Sequence, residues 1–289
     1  MTLHKHTALF GLKWDPFSPD VPIEALYMPP RVEHFFFRAE QQARQGGFIL
    51  ITGENGNGKT TALRQLRQRL STASDLVTAV LNRPQSDLAD FYRELGDLFE
   101  VPLRPHNRWG GFKALRERWL SHLETTLWRP VLFVDETQEM PSCVLSELRL
   151  ISTTNLDSRA ILTVVLCGDT RLTQRFRDPD LVPLASRIRV RLVQEPATPK
   201  ELQDCLQHLL AQAGNPHLMT AGLMTTLCEH ALGNYRVLAN MGAELLAAGA
   251  RAEVSQIDEK LFLEVFGPAS RERGRGRGQS TAPNPNPRS

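Results

Sequence analysis

The segment Gly53-Glu-Asn-Gly-Asn-Gly-Lys-Thr-Thr61 sets glycines, a lysine and hydroxyls at the spacing GxxxxGK(S/T), and the chemistry of that spacing is phosphate capture. Backbone N–H groups in such a loop turn inward to phosphate oxygens only with glycine-permitted dihedrals, and the helix that follows adds the partial positive charge of its N-terminus. Gly53, Glu54, Asn55, Gly56, Asn57, Gly58, Lys59, Thr60 and Thr61 are therefore the candidate nucleotide-binding residues. Lys59 is placed to reach the β- and γ-phosphates and the Thr60 hydroxyl to coordinate magnesium, so ATP and Mg2+ are the expected cofactors. A chance glycine-rich turn is the alternative, and a strand before the loop with a helix after it argues against that.

A second acidic feature lies about 75 residues downstream, where Val131-Leu-Phe-Val-Asp135-Glu136 ends an apolar run in two carboxylates. A strand of this kind delivers its carboxylates to the C-terminal edge of an open α/β sheet, where ligands bind. Asp135 is the expected magnesium partner, and Glu136 the base that orients an attacking water.

These groups need a scaffold. Phe48-Ile-Leu-Ile-Thr52 is a short continuous apolar run, as expected of a strand buried on both faces, and Lys59 to Leu70 follows as a helix. Upstream, the proline- and aromatic-rich stretch from Phe10 to Arg31 reads as an ordered strap, and Arg31 to Gln45 as a helix. Downstream, strands are expected at Leu76–Leu81, Val131–Val134, Ile161–Cys167 and, more polar, Arg187–Leu192. Helices separate them: one starting at Ser86-Asp87 and ending near Phe99, one over Phe112–Trp128 after a loop at 101–111, and one over Ser142–Ser152. The reading is an α/β domain with a five-stranded parallel sheet sandwiched by helices. Beyond Pro196 the pattern is helical only: a helix starting at Pro199, then Thr220–Leu232, Tyr235–Ala250 and Gln256–Phe266. The expected division is a strap at 1–30, the α/β domain at 31–195, a small all-α lid domain at 196–266 and a disordered Arg/Gly/Pro tail at 267–289.

Composition narrows the function classes. Of 289 residues 23% are charged and 41% hydrophobic, the profile of a globular chain. The net charge of +2 is the sum of a tail at +4, with five arginines and one glutamate, and a body at −2. Bulk charge thus does not make the body a nucleic-acid binder, and such an activity must come from a local patch or from assembly. No run reaches the ~18 apolar residues of a membrane-spanning helix, and the start lacks a signal-peptide core, so a cytoplasmic protein without a membrane partner is expected. Cys143, Cys167, Cys205 and Cys228 form no CxxC pair. Cys205 with His208 and Cys228 with His230 would make a zinc set, but both pairs sit in apolar helical patterns where buried cysteine is ordinary packing.

In sum these motifs resemble the AAA+ ATPases, and more narrowly the bacterial group of ExeA-type proteins and TniB-like helper ATPases of transposons. The likeness runs over about residues 9–266 and rests on Phe10-Gly-Leu, Trp14-Asp-Pro-Phe17, Gly46-Gly-Phe-Ile-Leu-Ile-Thr-Gly53, Asp135-Glu136 and Gly233-Asn-Tyr-Arg236, in that order. It implies an oligomeric, Mg-dependent ATPase with nucleotide at the junction of the α/β domain and the lid. It implies further that Asp169, after the fourth strand, takes the place of a residue sensing the γ-phosphate, although relatives often have Asn, Thr or Gln there. Arg187 matches an arginine donated to a neighbouring subunit's site, a task suited to a permanently charged guanidinium. The plainer reading has Arg187, Arg189 and Arg191 alternating on the exposed face of an edge strand. Arg236 matches a lid arginine that reports nucleotide state, or is a helix-surface arginine. Tyr27, Met28 and Pro29 suit packing on adenine or in the core.

The client is less constrained. The main reading is a regulator of DNA transposition that self-assembles with ATP, binds double-stranded DNA and recruits or activates a transposase. Arg104, His106, Arg108, Trp109, Lys113, Arg116 and Arg118 would line the DNA-facing side of the oligomer, against the alternative of a solvated helix face with Trp109 in the core. The other readings are an ExeA-like secretion or envelope-assembly ATPase and a slow nucleotide switch for a protein partner.

Overall fold

Five apolar runs form one parallel sheet in the computed structural model, which describes residues 7–103, 107–155 and 158–267. The strands are β1 (Gly47–Gly53), β2 (Leu76–Leu81), β3 (Arg129–Val134), β4 (Thr163–Gly168) and β5 (Ile188–Gln194), in the spatial order β2-β3-β4-β1-β5. The two-sided burial expected of β1 follows from its alternation. Phe48 and Leu50 enter the core on one face of the sheet, while Ile49 and Ile51 enter the core on the other. Helices α1 (Pro30–Gln45) and α2 (Lys59–Ser71) cover the second face. Helices α3 (Leu88–Leu98), α4 (Arg108–Ser121) and α5 (Ser142–Ile151) cover the first. Short helices α6 (Thr170–Arg175) and α7 (Val182–Ala185) fill the β4–β5 connection. Pairing of Thr52 with Gly168 and of Gly53 with Gln194 aligns the C-terminal ends of β4, β1 and β5 on one edge.

The chain divides into two compact units, Leu26–Ala197 and the described parts of Met1–Ala25 with Thr198–Ser289. The second unit is helical: α8 (Pro199–Ala213), α9 (Ala221–Ala231), α10 (Tyr235–Ala252) and α11 (Glu259–Phe266). Each begins at a side-chain cap that satisfies otherwise orphaned backbone N–H groups. Thr198 and Glu201 form a reciprocal capping box, while Thr220, Asn234 and Asp258 cap the other three. The aromatic residues of the N-terminal segment lock into this unit, Phe17 against Gly242 and Phe10 against Gly249, where a Cβ on either glycine would crowd the ring. Lys13 N–H donates to the Ala213 carbonyl (2.8 Å), which fastens the segment to the end of α8.

Several boundaries differ from the sequence expectation. The loop expected at 101–111 ends early, because Asn107 accepts from Gly110 N–H (2.8 Å) and starts α4 at Arg108. The same helix stops at Ser121, continues as a π-helical turn over His122–Thr126 and ends at Leu127 in the left-handed region (φ 59°). The last helix starts at Glu259 rather than Gln256, since Ile257 forms a parallel bridge with Met219. Trp109 is not a core residue: it is 73% exposed. Arg104 and His106 lie outside the described residues, as does the tail beyond Gly267. No helix among the described residues is long and apolar enough to cross a membrane.

Candidate nucleotide site

The phosphate loop occupies the turn between β1 and α2 at the C-terminal edge of the sheet. Gly56 and Gly58 have φ of 88° and 86°, left-handed values that cost glycine little. Gly53 is required for a different reason, because a Cβ there would collide with the Gln194 carbonyl oxygen of β5. The loop is pinned to the same strand end by Asn57, whose Nδ2 donates to the Gln194 carbonyl (3.2 Å). Lys59 is only 6% exposed, and its ammonium donates to the Glu54 carbonyl (3.1 Å) and to Asn55 Oδ1 (3.4 Å). Both acceptors are neutral, so a buried cation faces the loop with its charge available to a phosphate.

Asp135 stands at the end of β3 and uses both carboxylate oxygens. Oδ1 accepts from Glu136 N–H (2.9 Å), and Oδ2 accepts from the Thr60 hydroxyl (3.0 Å). A hydroxyl and a carboxylate held together are the hard oxygen donors that magnesium takes, so this pair fits that ion. Bound there, magnesium would neutralise charge on the phosphate oxygens. The Cys167 thiol of β4 is raised well above its ordinary pKa, first by burial and then by the Asp135 carboxylate. It therefore stays a neutral thiol beside the carboxylate.

Glu136 follows in the left-handed region (φ 49°), which turns the chain sharply into a 3-10 turn at Thr137–Glu139. Its Oε2 accepts from Gln138 Nε2, and Gln138 Oε1 accepts from Asp169 N–H (3.1 Å) at the end of β4. Asp169 itself caps α6. Its Oδ1 accepts from Arg171 N–H (2.9 Å) and its Oδ2 from Arg171 Nε (2.8 Å). Next to it, the Thr170 hydroxyl donates to Glu54 Oε1 (3.1 Å), tying the strand end to the phosphate loop. Sequence reasoning missed Gln138 and Thr170, because the contacts that matter, to Asp169 and to Glu54, are distant in the chain and neither residue belongs to a spaced pattern.

The other expected residues lie elsewhere. Arg187 sits in the turn just before β5, where its guanidinium donates to the Pro183 carbonyl, while Arg189 and Arg191 take the exposed positions of the strand. Arg187 lies seven positions before Gln194 at the phosphate-loop end of β5, a span of ~23 Å at ~3.3 Å per residue. Arg236 lies in the helical unit, exposed in the first turn of α10, where its N–H donates to Asn234 Oδ1 (3.0 Å). Met28 packs partly buried against the core, and the Leu26 and Tyr27 carbonyls accept from Gln65 Nε2 (3.3 and 3.5 Å). Cys205 and Cys228 are buried, and burial pushes their thiols up to about 12 and about 11.

A parallel five-stranded sheet in this strand order, with the glycine-rich loop after β1 and the acidic pair after β3, is the P-loop AAA+ fold. Residues 41–176 match the family model described as AAA domain. General secretion pathway protein A of Aeromonas hydrophila is 33% identical over 216 residues, which cover 72% of this chain and 38% of that protein. The chain thus spans less than two fifths of that relative's length. Among solved structures, Cdc6p from Pyrobaculum aerophilum superposes with a TM-score of 0.66 at 16% identity, covering 84% of this chain and 67% of the other. The Aeropyrum pernix ORC1 protein, in complex with DNA, gives 0.66 at 19% identity, covering 89% and 69%. The RuvB branch migration motor of Thermotoga maritima gives 0.52 at 16%, covering 87% and 72%. At these identities the three structures share the fold.

Proposed function

We propose that the chain is an ATP-hydrolysing AAA+ module that works as a homo-oligomer on a protein client in a secretion pathway, the process in the name of its Aeromonas hydrophila relative. The observation that carries the catalytic part is the cluster of Lys59, Thr60, Asp135 and Glu136 at one strand edge. In this reading the oxygen of a water bonds to the γ-phosphorus, and the bond from that phosphorus to the bridging oxygen breaks. The electron pair leaves with ADP, and Glu136 takes the proton of the attacking water. Arg187 lies too far along β5 to serve its own subunit's loop, which supports its assignment to a neighbour's site in the assembly. The role of Arg236 in reporting nucleotide state is likewise a proposal, and reduced ATP affinity of Arg236→Ala would support it.

A second reading keeps DNA as the client, with the chain regulating transposition through a transposase. One surface favours it: Trp109 stacks on Phe112 (centroids 5.8 Å apart, 8° between planes), and the Arg116 guanidinium lies 5.0 Å from the Phe112 ring. With Arg108 and Leu150 they line a cavity of about 660 Å³. Arg108 contributes less charge than its type suggests, because its guanidinium pairs with the buried carboxylate of Glu147.

One experiment separates the clients. Binding of the wild-type protein and of Lys59→Ala to duplex DNA is measured with and without ATP across a salt series. ATP-dependent, salt-sensitive binding that Lys59→Ala lacks supports the DNA reading. No binding at low salt removes it and leaves the protein client. ATP bound as tightly by Lys59→Ala as by wild type would contradict the nucleotide site itself.

A further inference from the structure

Gln138 is a buried residue, 8% exposed, whose side chain joins two parts of the nucleotide site. Its amide nitrogen donates to Glu136 Oε2, and its amide oxygen accepts from Asp169 N–H (3.1 Å). The orientation of the amide is fixed by chemistry, since a backbone N–H can only donate and an ionised carboxylate can only accept. Of the uncharged side chains, an amide is the kind that presents a donor at one end of its fork and an acceptor at the other. Glutamate, of the same shape, would keep the bond from Asp169 and set a second carboxylate against Glu136.

The surroundings hold this amide in place. Arg175 donates to the Gln138 carbonyl (2.6 Å) and to Ser142 Oγ (3.0 Å), which fixes the 3-10 turn. Gly168 leaves the space the amide occupies: a Cβ there would stand 2.6 Å from Gln138 Oε1. A Cβ at Gly168 would also press on Leu172 (2.9 Å), so packing asks for that glycine too, but packing alone does not set the direction of Nε2. Nor does the Asp169 carboxylate compete with Glu136 for the Gln138 amide nitrogen, because both its oxygens accept from Arg171.

From this geometry we propose that Gln138 is the positioning residue for Glu136, holding one carboxylate oxygen, leaving the other for the attacking water, and coupling Glu136 to the end of β4. The proposal rests on the reading of Glu136 as the base. The position that the family pattern gives to a γ-phosphate sensor thus acts here through its backbone N–H, by way of Gln138, rather than through the Asp169 carboxylate.

The test compares steady-state ATP hydrolysis, ATP affinity and melting temperature for wild type, Gln138→Glu, Gln138→Met and Glu136→Gln. Gln138→Glu should lower kcat at least tenfold while KM for ATP stays within about twofold and the melting temperature is close to wild type. Gln138→Met, which keeps the volume and removes both hydrogen bonds, should also lose kcat, and it serves as the test if Gln138→Glu does not fold. Wild-type kcat in either folded variant, with Glu136→Gln inactive, overturns the role of Gln138 and leaves the base assignment standing. Wild-type turnover in Glu136→Gln overturns the base assignment instead. Equal losses of ATP affinity and melting temperature, with kcat retained at saturating ATP, would make Gln138 a structural residue only.

Discussion

The chemistry of the phosphate loop and the acidic pair demands fixed residue types at fixed spacing. Glycines at 56 and 58 adopt left-handed backbone, Lys59 is buried with its ammonium on the loop, and Thr60 meets Asp135. The spacing could not show the second layer of contacts. Gln138 and Thr170 reach across to other strand ends, and the Asp169 carboxylate is drawn into a helix cap and an ion pair with Arg171. The glycine at 53 tests this geometry at the scale of one atom. Gly53→Ala adds a methyl group where the Gln194 carbonyl, a backbone atom, already stands. It should destabilise the protein by about 1–3 kcal/mol and weaken ATP binding, read by thermal melting with and without ATP. An unchanged melting temperature and affinity would show that β1 and β5 are not in that register. The cysteines give an independent check. Cys143 is exposed while the other three are buried, and burial raises the pKa of each buried thiol. Thiol labelling of the folded protein at neutral pH should therefore modify Cys143 quickly and the rest only on unfolding.

Among the elements, the strands were the easiest to read, since a strand buried on both faces has to be a nearly unbroken apolar run. Helix starts were legible where a polar cap precedes an apolar period, as at Asp87, which accepts from Asp90 N–H (2.9 Å), and at Thr198. Helix α4 was harder. Its first turn contains Gly110 and Gly111, which read locally as breakers. Folding uses both: a Cβ on Gly110 would strike the capping Asn107, and one on Gly111 would press on Tyr92 (3.3 Å). Leu115 and Trp119 anchor α4 in the core; both are fully buried, and Trp119 meets Phe99, just after α3, edge-on at 5.2 Å. Trp119→Ala should cost about 3–5 kcal/mol, measured by denaturant unfolding. Trp119→Phe, which keeps a ring against Phe99, should cost clearly less. Equal costs for the two would mean that the ring contact contributes little.

At the scale of the whole molecule, the sequence showed an α/β body followed by helices, because the period of the apolar pattern changes near Pro196. It did not show that the N-terminal aromatic segment packs with those helices, since Phe10 and Phe17 fill space at glycines more than two hundred residues away. The near-neutral net charge also says little about a client, since exposed cations such as Lys113 and Arg118 stand near Glu117 and Glu100. Arg187 carries the prediction that belongs to assembly. Mixing Arg187→Ala with Glu136→Gln should partly restore hydrolysis, because one interface would then hold an intact base and an intact donated arginine. No restoration, in a mixture shown to co-assemble, would place Arg187 outside the neighbour's site. The central claim, that this strand edge hydrolyses ATP with Glu136 as base, is tested most directly by ATP binding and turnover in Glu136→Gln with magnesium present. Binding close to wild type with turnover reduced at least a hundredfold is the expected result; turnover at the wild-type rate would contradict it.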